Sequence, residues 1–127
     1  MGVHMGDIDW TYLLFKFDGR INRAKFWAGS VLIWGIYTLW IIAVVAAINV
    51  SSTAGVVIGF LGIMIWVLAI WSGLAISIKR WHDRGKSGWW IFIAAIPIIG
   101  GLWALIETGF LEGDLGPNEY GPNPLDV

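Results

Sequence analysis

Two uninterrupted apolar runs, each long enough to cross a membrane as a helix, set the pattern of this chain. Residues 26–48 and 56–78 each span about 34 Å at 1.5 Å per residue, against a hydrocarbon core of roughly 30 Å. Not one Asp, Glu, Lys or Arg occurs between Lys25 and Lys79, a pattern that reads as membrane-embedded. A polar, uncharged turn at 49–55 separates the two runs. A third apolar segment, 89–106, covers only about 27 Å and carries Pro97, Gly100 and Gly101. Ahead of the first run, Trp10, Leu13, Leu14 and Phe17 fall at i, i+3, i+4 and i+7. They predict a short interfacial helix over 7–17, with Asp7 or Asp9 as its N-cap. Residues 112–127 have no apolar periodicity; Gly116-Pro117-Asn118 and Gly121-Pro122-Asn123 predict consecutive turns around Tyr120.

The expected fold is therefore an all-α polytopic membrane protein: three transmembrane helices, a short N-terminal interfacial helix and an irregular C-terminal tail. Its parts are an N-terminal helix and basic linker (1–25), a membrane domain (26–111) and an acidic tail (112–127). For the third segment a full crossing is favoured. The alternative is a re-entrant hairpin folded by Pro97 and the glycines, since non-helical backbone at that depth is tolerated only where protein or water satisfies it.

Charge adds direction to this picture. Only 13% of residues are charged, half of what a soluble domain carries. All eight basic residues lie in two clusters, Lys16 to Lys25 and Lys79 to Lys86, while five of the nine acids lie from Glu107 onward. The positive-inside bias puts both basic clusters, hence the N-terminus and the 79–88 loop, in the cytoplasm. The absence of Cys excludes disulfides and thiolate chemistry. No cleavable signal peptide is evident. The leading Met-Gly-Val-His-Met has the look of an added leader, and His4 carries no functional weight.

Four features bear on chemistry. The second span has a small-residue stripe, Gly55, Gly59, Gly62, Ala69, Gly73 and Ser77, with Trp66 in the one missing place. It allows close helix approach, either within the chain, the favoured reading, or along a homo-oligomer seam. Of ten tryptophans, Trp27, Trp81, Trp89 and Trp90, with Trp10, sit beside basic residues as interfacial anchors. Trp34, Trp40, Trp66, Trp71 and Trp103 fall inside spans, where each indole N–H needs an acceptor such as a backbone carbonyl or Ser72. The basic loop is the best candidate site. Lys79, Arg80, Arg84 and Lys86 precede a helix start at Ser87, and Arg20, Arg23 and Lys25 lie at the same boundary. Cations beside a helix N-terminus form an anion site, with lipid phosphate the obvious anion. The plain alternative, that these residues only set topology, weighs equally. Finally, His82-Asp83 is the one pair with acid–base potential, too few ligands for zinc. No metal, cofactor or nucleic-acid partner is expected.

The ordered motifs resemble a known family. Residues 17–27, Phe-Asp-Gly-Arg-Ile-Asn-Arg-Ala-Lys-Phe-Trp, resemble the F-x-G-R-x-x-R-x-x-[FY]-W opening of the YhaH-like bacterial inner-membrane group, domain of unknown function 805. Residues 79–90 resemble its R-R-L-H-D-x-x-x-S-x-W-W, 96–100 its I-P-x-x-G, and 116–124 its G-x-N-R-[FY]-G-x-[DN]-P. Lys79, Trp81 and Glu119 depart from the pattern, the last reversing a charge, which argues against an anion-binding tail. The resemblance implies a small polytopic inner-membrane protein and no activity. The leading functional expectation is a non-enzymatic scaffold or accessory protein whose basic face binds anionic headgroups or an acidic partner. The competitors are an oligomeric channel or transporter, and an enzyme acting on a lipid-linked phosphate through His82 and Asp83.

Overall fold

The computed structural model describes residues 8–126, and within them the chain is helical, with one isolated bridge between Asn118 and Gly121 and no strand. Asp7 and His4 lie outside the described residues. Helix α1 (Trp10–Phe15) is shorter than expected and is capped by Asp9, whose side chain accepts from the Tyr12 N–H at 3.1 Å. Helix α2 (Arg23–Val50) begins at Asn22, which accepts from the Lys25 N–H at 2.9 Å. Helix α3 (Ser52–Asp83) is the longest. Both α2 and α3 are long and apolar enough to cross a membrane.

The expected turn at 49–55 shrinks to one residue. Ser51 ends α2 through its N–H to Ala47 O and starts α3 by accepting from the Ala54 N–H at 3.0 Å. A residue with a short hydroxyl side chain can serve as C-cap and N-cap at once, so the flanking polar residues join the helices. The two helices pack along their length as an antiparallel pair. Gly62 receives the Trp40 indole, whose N–H donates to Ile58 O at 3.1 Å, and Gly55 receives Ile48. These two members of the small-residue stripe thus serve packing within the chain. Gly59 and Gly73 face open space, where a Cβ would meet no neighbour.

The third segment corrects the favoured expectation. It is not one spanning helix but a broken hairpin: a 3-10 helix (Gly88–Ala95), a break, helix α4 (Ile99–Leu105) and a π-helical turn (Ile106–Phe110). Pro97 supplies no N–H and excludes Ile96 from the helical region. Ile98 then takes φ +65° with the Ile99 N–H on Pro97 O at 2.7 Å, a γ-turn of the rare kind that strains a β-branched residue. Gly100 lets α4 close on the first arm, because any Cβ there would collide with the Ile93 carbonyl. Both ends of the hairpin meet the same end of the α2–α3 pair: Gly88 lies against Ile78, and Gly109 against Trp27. The cleft between hairpin and α3 runs from Trp81 down to Ala69, roughly 18 Å at 1.5 Å per residue, little more than half the hydrocarbon thickness.

At that same end a small core forms from Ile8, Leu13, Ile21, Phe26 and Ile76. Helix α1 is thus tucked against α2 and α3 by Leu13, while Phe17, beyond its end, stacks on Trp71 at 4.8 Å. The contrast among the glycines is testable. Gly62→Ala should destabilise the fold by about 1–3 kcal/mol through overpacking against Trp40, whereas Gly59→Ala, in open space, should be neutral or gain a few tenths. Thermal melting in detergent checks the pair.

Candidate functional site

The polar end is organised by one carboxylate. Asp83 is the last residue of α3 and shares a face with Arg80, three residues earlier. Its Oδ2 accepts from Arg80 Nη1 at 2.5 Å and its Oδ1 from Arg20 Nε at 3.0 Å, all three side chains being at most 5% exposed. Helix α3 closes just beyond, in a Schellman motif with Gly85 at φ +76°: the Gly85 N–H meets His82 O and the Lys86 N–H meets Trp81 O, each at 2.9 Å.

The remaining donors of these guanidiniums go to backbone carbonyls. Arg80 Nε donates to Thr108 O at 2.6 Å and Arg80 Nη2 to Leu111 O. The neighbouring carbonyls are taken by Trp27, whose Nε1 donates to Gly109 O at 2.7 Å, and by Arg23, whose Nη1 donates to Phe110 O at 2.8 Å. These oxygens are the unsatisfied C-terminal carbonyls of the hairpin's second arm, and cations belong at that end of a helix. Arg20 holds the tail: Nη2 to Asp114 O at 2.7 Å, Nη1 to Gly116 O at 2.9 Å and to Gly121 O at 3.1 Å. The Asp114 N–H returns to Asp83 O at 2.6 Å. Gly113 and Gly85 make this approach feasible, since a Cβ on either would strike the carboxylate of Asp83 or Asp114 respectively.

The anion site expected at the start of the third segment is thereby revised. Arg20, Lys79 and Arg80 are enclosed, with Lys79 donating to Leu13 O at 2.8 Å and to Tyr12 O. They face carbonyls, including the end of a helix, rather than its beginning. Ser87 precedes the 3-10 arm without a side-chain cap bond. Arg84 and Lys86 converge on Glu107 Oε2, at 3.4 and 2.5 Å, and Arg84 Nη1 also donates to Glu112 O. Arg23 is exposed and Lys25 half-buried, and neither has an ion-pair partner among the described residues.

His82 and Asp83 do not act as a pair. Asp83 is committed to the two arginines. The His82 ring points elsewhere, Nδ1 donating to Gly19 O at 2.9 Å, and stacks on Tyr120 at 3.9 Å between centroids. Asn118 donates to His82 O at 2.9 Å, completing the tail's attachment. Tyr12 donates its hydroxyl to Arg20 O at 3.3 Å, and burial, then nearby Asp18, push its pKa above the usual tyrosine value, so it remains a donor.

Of the expected interfacial anchors, Trp89 is 77% exposed and Trp27 and Trp90 are partly so, but Trp81 is 1% exposed and is a core residue. It stacks on Trp90 at 5.8 Å, under Lys86. Indole acceptors within the apolar segments are carbonyls for Trp40 and Trp71 (Phe15 O, 3.2 Å) and a carboxylate for Trp103 (Glu107 Oε1, 2.8 Å). Glu107 was missed as a hub, although a lone acid in an apolar segment is a signal for one.

Comparison with known proteins finds a family and relatives. The family described as "Protein of unknown function (DUF805)" matches residues 14–122. Three proteins of Escherichia coli K12 are similar: the uncharacterized protein YiiR (31% identical, 90% of this chain and 89% of that one), the inner membrane protein YhaI (32%, 85% of each) and the inner membrane protein YhaH (29%, 92% and 97%). No solved structure matches.

Removing the central carboxylate is the sharpest probe of the site. Asp83→Asn should cost about 3–5 kcal/mol, because it strands two buried guanidinium groups. Arg20→Lys keeps the charge but not the fork. It should release the tail, read as rapid proteolysis near residue 115 with helicity retained.

Proposed function

This chain belongs to the DUF805 family, and we propose that it is a non-enzymatic membrane scaffold whose polar cap meets anionic headgroups of a bacterial inner membrane. In this reading α2 and α3 cross the bilayer, the hairpin enters and returns, and the cap with N-terminus, 79–88 loop and tail is cytoplasmic. The basic bias of that end supports the orientation, and the relatives named as inner membrane proteins support the compartment.

One observation carries the headgroup reading. Arg23 and Lys25 stand on the first turn of α2, beside the partly exposed Trp27, and no carboxylate pairs with them among the described residues. Arg20 and Arg80 behind them spend Nε, Nη1 and Nη2 on the protein, whereas Arg23 spends only Nη1, on Phe110 O, so headgroup contact falls to this outer rank. An enzymatic reading has no support in the geometry, since His82 and Asp83 serve separate contacts. A transport reading has the broken hairpin in its favour, but no Asp, Glu, Lys, Arg or His lines the clefts described beside α3.

Reconstitution in bilayers with and without phosphatidylglycerol tests the proposal. The wild type should melt higher in the anionic bilayer, and Arg23→Gln with Lys25→Gln should remove most of that gain, about 1 kcal/mol per cation. Equal stability of the wild type in both bilayers would sink the headgroup reading.

A further inference from the structure

The cleft between α3 and the hairpin has one wall built by the C-terminal part of the small-residue stripe. Ala69, Gly73 and Ser77 form one wall, and Ile91, Ala94 and Ala104 the other, of an open groove of about 410 Å3. That volume lies in the range of roughly 300–1,000 Å3 usual for small-molecule sites. Its polar end is marked by Trp81 and Thr108. Thr108 spends its hydroxyl on Ala104 O, so it does not need an occupant. Just above, Lys86 lies 5.7 Å over the Trp81 ring and 4.7 Å over Trp90. With Arg84 it shares the single carboxylate of Glu107, two cations against one anion, and both side chains keep outward exposure of 31% and 26%. Arg84 Nη2 has no hydrogen-bond partner among the described residues. An apolar slot under an uncompensated cation is complementary to one molecular class, a chain carrying a negative head.

We propose that this cleft seats one acyl chain of an anionic glycerophospholipid, whose phosphate accepts from Lys86 Nζ and Arg84 Nη2. The proposal rests on the headgroup reading above but concerns a different place, a single resident lipid rather than the rim at Arg23 and Lys25. Gly73 gives a clean handle, because a side chain there meets no protein atom at its Cβ and grows into the cleft.

The experiment is native mass spectrometry of the full chain in detergent, after exchange with phosphatidylglycerol or with phosphatidylcholine of the same acyl chains. The wild type should retain one phosphatidylglycerol, with a preference of about fivefold or more per contacting cation. Gly73→Leu should lose that lipid at an unchanged melting temperature, and Lys86→Gln should lower the preference without lowering phosphatidylcholine retention. If Gly73→Leu does not fold, Ala94→Leu enters the cleft from the opposite wall and must give the same loss. Wild-type retention in the folded cleft-filling variant, or equal retention of the two lipids by the wild type, overturns the proposal. Failure at the rim alone would appear as an unchanged bilayer gain in the Arg23→Gln, Lys25→Gln protein and would leave the retained lipid in place.

Discussion

The joining of hairpin and tail to the helix pair turns on the Asp83 carboxylate, which holds two buried guanidinium groups in fixed orientation. Such a triad is weak evidence for net stability, because desolvation of three charges offsets much of their attraction. Its consequence is geometric. With one edge of each fork fixed on Asp83, the free N–H groups of Arg80 point at the hairpin's last carbonyls and those of Arg20 at the tail. The carbonyls that end the hairpin have no helical acceptor role left, and near hydrocarbon they would be costly without a donor. The triad therefore lets a broken hairpin end beside a helix pair, and it brings the tail to the end where the hairpin began.

The four segments that carry the family resemblance are the four that this arrangement joins. Arg20, Arg23 and Trp27 come from the first, Arg80 and Asp83 from the second, the Pro97 break and Gly100 from the third, and Gly116 to Gly121 from the fourth. Glu119, which reverses the usual charge, forms no ion pair among the described residues. The tail is held by its backbone carbonyls and by Asn118 and Tyr120, so that reversal leaves its attachment intact.

Much of this was legible before the structure. The two long helices follow from apolar runs without a single charge, the Asp9 cap from the residue before a periodic segment, and the Trp40 acceptor from the cost of an unpaired indole N–H in an apolar span. The break at Pro97 was visible too, but its direction was not. Whether an interrupted helix crosses or returns depends on what receives its carbonyls, and the donors lie in sequence far away. The same gap explains the arginines. A basic loop before an apolar segment looks like an anion site because cations announce themselves, whereas a backbone carbonyl acceptor has no residue type. Burial of Lys79 and Arg80 at 0% exposure therefore could not be read from composition, nor could the core position of Trp81.

Tail and basic loops share one end, opposite the Ser51 turn. Because the chain has no Cys, single substitutions report topology cleanly. In spheroplasts and in inverted membrane vesicles, a membrane-impermeant maleimide should label Leu125→Cys and Asp18→Cys only from the cytoplasmic side, and Thr53→Cys only from the other. Labelling of Leu125→Cys together with Thr53→Cys would mean that the third segment crosses and would contradict the cap.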